Sequence, residues 1–233
     1  MIAKSKTDGG KARKKTPVKS PAAKSAAKSA TKSTVKAAAR PTPNARGGER
    51  RLTILNALGE CVNAKGYAKT TLADVARAAG LSPSHILYYY RGKAAILKHY
   101  FHEVSEKFLA RLEELRDKPP EQQIELLAQI SFGGRGMTRA NMGFMLECFG
   151  LAVNDAVLRR EKATMDRRAK AFLTGLFEKT PHGRAGDARI LAEIAYAELV
   201  GLRTAVYFDD DLSLPGVLDL FHTSMLELAG YEP

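Results

Sequence analysis

Residues Thr70–Tyr90 read TTLADVARAAGLSPSHILYYY, and the organisation of the whole chain follows from how this stretch is punctuated. Thr71 is placed to cap a short helix, and Asp74, three residues on, to return the bond as in a capping box. That helix would turn Leu72, Val75, Ala76 and Ala79 inward. Gly80 supplies a tight turn, Ser82 an N-cap and Pro83 a favoured first helical position, so a second short helix is expected over Pro83–Tyr89. Two short helices joined by Ala79-Gly80-Leu81-Ser82 match a helix-turn-helix, whose second helix enters the major groove of DNA. Small Ala76 and Ala79 allow close approach, and Val75, Leu81 and Ile86 would form the core beneath. Ser84, His85 and Tyr88 are left pointing outward near the start of the second helix, where base-edge readers belong.

Outward from this stretch the helical pattern continues. Upstream, from Glu49, Leu52, Leu55, Leu58 and Val62 recur at spacings of three and four until Gly66 ends the stripe. Downstream, Gly92-Lys93 opens a helix running to about Arg116, before Pro119-Pro120. Further helices are expected at about 121–131, 137–151, 155–179, 186–208 and 214–229. No segment sustains alternation of period two, so the fold class is all-α.

The stretch RRLTILNALGECVNAKGYAKTTLADVARAAGLSPSHILYYYRGKAAIL, residues 50–97, resembles the DNA-binding region of the tetracycline-repressor (TetR) family. The shared features are Lys65-Gly66-Tyr67, Thr70-Thr71, Val75-Ala76, Ala79-Gly80-Leu81-Ser82, Tyr89-Tyr90 and Lys93. The resemblance implies a helix-turn-helix DNA-binding domain (49–95) and a helical effector-binding and dimerisation domain (96–233); composition marks residues 1–48 ahead of them as a disordered basic tail. It implies that Thr71, Tyr89 and Lys93 grip phosphates. Ser84 and His85 would face base edges with Tyr88 alongside, and Thr70 and Ser82 complete the DNA-contacting set. The family commonly has tyrosine where this chain has Leu87, which would instead touch a thymine methyl. Tyr90, on the Ile86 side of its helix, is expected in the core. The N-terminus of the helix at Gly92-Lys93 would add backbone N–H groups for a phosphate.

Charge is unevenly spread. Residues 1–46 hold ten Lys, three Arg and one acidic residue, Asp8, a net of +12. That leaves twenty-four of the chain's 37 basic and twenty-four of its 25 acidic residues for 47–233, which is therefore neutral. The tail has few large apolar groups and is interrupted by Pro17, Pro21, Pro41 and Pro43, so it cannot offset the entropy of ordering. Its composition is similar to that of linker-histone-like tails, and it suits a polyanionic partner. Cys61 and Cys148 lack any CxxC or metal-ligand spacing, which fits a reducing compartment. With no secretory h-region or membrane-length apolar run, a cytoplasmic, nucleoid-associated location is expected.

In the remainder, Leu191, Ala195, Leu199, Leu202 and Val206 form one apolar stripe and Val217, Phe221, Met225 and Leu228 another. Two such hairpins, one per subunit, would make a four-helix dimer interface, with intramolecular core as the other reading. Phe132, Met142, Phe144, Met145, Phe149, Phe172 and Tyr196 are candidates for a pliable effector pocket, although each also suits a core. LVGLRTAVYFDDDLSL, residues 199–214, is similar to the glycine-betaine-regulator (BetI-like) branch of the family. His99-x-x-His102-Glu103 has metal-like spacing without a further ligand nearby, so no metal is expected. Gly133-Gly134-Arg135-Gly136 lacks the lysine-serine of a phosphate loop. With no nucleophile–base pair, catalytic residues and cofactor are both read as none, and the chain as not an enzyme. The expected partners are double-stranded DNA, a second copy and an unidentified small-molecule effector, with no membrane. Three functions compete: a ligand-responsive repressor, a histone-like architectural binder dominated by the tail, and a surface or protein-interaction module anchored by it. A purely solubilising tail is a further possibility.

Overall fold

The computed structural model describes residues 43–134 and 138–232, with side chains from Gly47. Residues 1–42 of the basic tail, with the polyanionic partner expected for it, and Arg135 and Gly136 of the glycine-rich loop lie outside the described residues. The described residues form ten α-helices and no strand. The first, α1 (Pro43–Lys65), starts earlier than Glu49, so the helix reaches back into the segment expected to be tail. Then follow α2 (Leu72–Ala78), α3 (Pro83–Tyr89) and α4 (Lys93–Glu113). The body continues with α5 (Pro120–Ala128), a π-helical turn (Gln129–Gly133), α6 (Arg139–Ala152) and α7 (Ala156–Phe177). A short α8 (Pro181–Ala185), which the sequence pattern did not show, precedes α9 (Ala188–Phe208) and α10 (Leu214–Ala229).

Most helices start where a side chain can take the first free N–H groups. Asp155 caps α7, accepting from Val157 and Leu158 at 2.9 and 3.1 Å. Thr138, Thr180, Asp187 and Ser213 cap α6, α8, α9 and α10 in the same way. The helices then pack by their apolar faces around one core, with α7 central against α4, α6 and α9. Phe101, Phe132, Phe172, Phe177 and Phe221 are the largest side chains fully buried in it.

Two expectations about facing need correction. In α1 the buried residues are Ile54, Leu55, Ala57, Leu58 and Val62, whereas Leu52 is 47% exposed. The helix meets α2, α4 and α6 on one side, so its buried face is wider than a single stripe and rotated away from Leu52. In α9 and α10 both expected interface stripes point largely inward: Ala195, Leu199, Val206, Val217, Phe221 and Met225 are buried, and Leu191, Leu202 and Leu228 pack partly against the core. The large apolar groups of these two helices left outside are Ile190, Ile194, Tyr207, Phe208 and Leu220.

This difference in facing is measurable. Leu58→Ala removes a fully buried side chain and is expected to cost about 2–5 kcal/mol. Leu52→Ala should stay within about 0.5 kcal/mol, as surface changes do. Chemical denaturation of the two variants checks the pair.

Candidate nucleic-acid interface and its connected cavity

The helix-turn-helix is assembled by local bonds. Thr71 Oγ1 accepts from Asp74 N at 3.2 Å and Thr71 N donates to Asp74 Oδ2 at 2.8 Å, completing the capping box. Lys65 lies 2.6 Å from the same carboxylate. The Lys65 and Thr71 hydrogen bonds hold the Asp74 carboxyl far below the usual carboxylate range. Gly80 turns the chain with φ +65°, a left-handed conformation that costs glycine little. Ser82 caps α3, accepting from His85 N at 3.2 Å, with Pro83 in its first turn. Val75, Ala76 and Ile86 are buried beneath, with Leu72 and Leu81 partly so.

This packing sorts the candidate contact residues. Ser84, His85, Leu87 and Tyr88 all stand exposed on α3, Tyr88 at 82%. Tyr89 is half-buried, its ring 5.7 Å from His85 and edge-on to Tyr88. Ser82 is exposed, and although its oxygen caps the helix its hydroxyl proton remains able to donate. No residue of α3 carries a formal charge.

Thr70 and Thr71 do not fit the role given to them. Thr70 is 1% exposed, and its hydroxyl donates to the Gly66 carbonyl at 2.8 Å. Thr71 is exposed, but its hydroxyl donates to Asp74 Oδ2 at 2.5 Å and its N–H to the same carboxylate, leaving no donor for a phosphate. The pattern that marks a helix start uses up the groups that a DNA contact would need. Exposed Lys69, just before α2, and Arg91, just after α3, flank this face, and single flanking bases form no motif in the sequence.

Lys93 is tied inward. Its ammonium donates to the carbonyls of Tyr67 and Thr70, each at 2.7 Å, and sits 4.0 Å from the centre of the Tyr67 ring. An ammonium has three N–H donors, so one is left for a phosphate. Gly92 gives α4 no side-chain cap, so the start of a 21-residue helix still offers backbone N–H groups beside it.

Further contacts connect this region to the body. Tyr67 N donates to Glu147 Oε2 of α6 at 2.6 Å, and Asn63 donates to Asn141 at 2.6 Å. Tyr90, buried as expected, meets His99 Nδ1 of α4 at 2.6 Å. His99 and His102 turn to different partners, Tyr90 and Glu161, and no described group of three His, Cys, Asp or Glu is placed to hold a metal.

A cavity of about 400 Å³ lies between α4, the π-turn, α6, α7 and α9. Met142, Phe144, Met145, Phe149 and Tyr196 are in its wall, as the sequence suggested. Phe132 and Phe172 are not: Phe132 stacks edge-on against Phe221 of α10, and Phe172 is buried beside Arg116. Aromatic content alone does not distinguish wall from core. Tyr100, Phe108 and Arg203 line the cavity too; Arg203 falls within the BetI-like stretch 199–214, and no motif marks Tyr100 or Phe108.

Residues 54–100 match the model for bacterial regulatory proteins of the tetR family. The DNA-binding region is that of TetR-family transcriptional regulators. The chain is similar to the HTH-type transcriptional regulator BetI of Escherichia coli, 26% identical over 144 residues that cover 60% of this chain and 74% of that protein. Its fold is that of a TetR transcription regulator from Haloarcula marismortui (TM-score 0.69, 19% identity, 78% of this chain and 97% of the other). The same holds for a regulator from Saccharomonospora viridis in complex with choline (TM-score 0.68, 18% identity, 77% and 96%).

The Lys93 arrangement separates two roles for this side chain. Lys93→Met is expected to lower stability by about 1–3 kcal/mol, because two carbonyls lose a charged donor. A lysine serving only phosphates would weaken DNA binding and leave the melting temperature unchanged, so thermal unfolding of the free protein is the check.

Proposed function

We propose that this regulator is a ligand-responsive repressor which binds a pseudo-palindromic operator as a homodimer. The observation that carries the reading is that the helices walling the cavity also hold the helix-turn-helix. Helix α4 starts at the recognition helix and carries Tyr100, Ser105 and Phe108 into the cavity wall. Helix α6 carries Met142, Phe144 and Met145 there, and Glu147 to the backbone of Tyr67. A ligand that binds one arrangement of α4 and α6 more tightly than another shifts the spacing of two recognition helices, and that difference in affinity is the energy of the response. The complex of the Saccharomonospora neighbour with choline supports a small-molecule effector in this fold.

In the proposed DNA complex Ser84 and His85 read base edges, Leu87 and Tyr88 pack against them, and Tyr89, Ser82 and Lys93 hold phosphates. The dimer interface is assigned to the outward face of α9 and α10. Ile190, Ile194, Ala197 and Gly201 follow one another at spacings of four, three and four, and a Cβ at Gly201 would meet nothing within 4 Å, so a partner helix has room to approach. Leu220 continues the apolar surface on α10. Two copies joined there would present two recognition helices to half-sites about 34 Å apart. The basic tail would add sequence-independent phosphate contacts. The tail-dominated architectural reading is less favoured, since it gives no role to the exposed readers of α3.

Selection of bound genomic fragments followed by footprinting tests the operator reading: a short palindrome is expected, and diffuse protection without sequence preference would overturn it. Substituting Ser84 or His85 should change the preferred sequence by about 1–3 kcal/mol per lost base contact. For the dimer, Ile194→Glu is expected to shift sedimentation toward the monomer at micromolar protein and to weaken operator binding with it.

A further inference from the structure

Resting on the reading of the cavity as the effector site, we infer that the effector is an anionic amphiphile, a carboxylate on an apolar body. Three cationic side chains line the cavity, Lys107, Arg111 and Arg203, and no Asp or Glu does. No salt bridge among the described residues involves any of the three. Two of the cavity's polar atoms, Arg203 Nε and Ser105 Oγ, are buried without a hydrogen-bond partner. An unpaired buried donor costs free energy, more so on a charged group, and a carboxylate accepting from both removes that cost. Burial lowers the Arg203 pKa only to about 10, so the guanidinium is charged at neutral pH.

The aromatic wall does not suit a cationic effector. Cation–π binding needs aromatic faces free for the ligand. Here Arg203 stands 5.3 Å from the Phe108 ring centre, Lys162 4.5 Å from that of Phe149, and Lys170 5.4 Å from that of Tyr196. The nearby carboxylate of Asp166 is committed to Lys162, at 2.7 Å, and to the Tyr196 hydroxyl. A quaternary ammonium would enter a wall already carrying positive charge. A carboxylate meets Arg203 and Ser105, while its apolar body lies against Met142, Phe144 and Met145. Lys107 and Arg111, exposed and one turn apart on α4, extend the positive potential to the rim.

The test uses three probes with the same twelve-carbon body, each below its micellar concentration: laurate, 1-dodecanol and dodecyltrimethylammonium. Calorimetric titration into the full chain is expected to rank laurate first by roughly tenfold or more, the strength of one charge-assisted bond. Arg203→Met should weaken laurate by about 10- to 100-fold and leave dodecanol within about twofold. The exposed pair Lys107→Gln and Arg111→Gln, which leaves the core intact, should weaken laurate several-fold. Tighter binding of the ammonium, or laurate affinity unchanged in both variants, overturns the inference. Release of a footprinted operator is scored in parallel. Laurate that binds through Arg203 without releasing DNA sustains the assignment of the cavity to a carboxylate amphiphile and sinks the ligand-responsive reading. Release by dodecyltrimethylammonium but not by laurate does the reverse.

Discussion

The Lys93 ammonium receives the carbonyls of Tyr67 and Thr70, and this charge–dipole contact is what sets the DNA-reading helices on the body. Both carbonyls belong to the turn between α1 and α2, where helical bonding is interrupted; the Tyr67 carbonyl also accepts from Thr70 N at 3.1 Å. A cation brought in from the start of α4 donates to both. The same loop is held from α6, where Glu147 takes the Tyr67 N–H. The loop is thus pinned by one positive and one negative side chain from two different helices of the effector-side body. In the proposed response, movement of either helix would reach α2 and α3 through these short, directional bonds.

The same two helices, α4 and α6, turn other residues toward the cavity. Each therefore has one face toward the DNA-binding unit and another toward the cavity, and in the proposed reading the shared backbone would connect them. The cavity is apolar over most of its wall, which would give little orientation to a guest; in the inferred complex orientation would come from the few polar groups at Arg203 and Ser105. The guanidinium over Phe108 means that the cavity already holds a charge in place before any ligand arrives.

The helix-turn-helix was legible because its signals are local. Thr71 with Asp74, Gly80, and Ser82 with Pro83 act within four residues of one another, and the structure puts each cap and turn where the residues indicate. What periodicity shows is which residues share a face; it does not show what that face meets. Hence Leu52 was grouped with Leu55 and Leu58 although it stands outside, and the stripes of α9 and α10 were given to a partner although the core uses them. Phe132 and Phe172 failed as pocket residues for a related reason, since an aromatic ring serves wall and core equally well. Thr70, Thr71 and Lys93 show a further limit. A donor's type is visible in the sequence, but whether it is already bonded depends on partners up to 26 positions away.

The uncharged surface of α3 has a consequence for how such a protein can change over time. In the proposed complex its exposed residues Ser84, His85, Leu87 and Tyr88 would discriminate by shape and by neutral hydrogen bonds, while the formal charges sit beside the helix at Lys69, Arg91 and Lys93 and in the N-terminal segment. Grip and choice are thereby assigned to different residues. Replacements on α3 can move the regulator to a new target without altering how strongly it is drawn to the double helix. Charge can equally be gained or lost in the flanks and tail without rewriting the address.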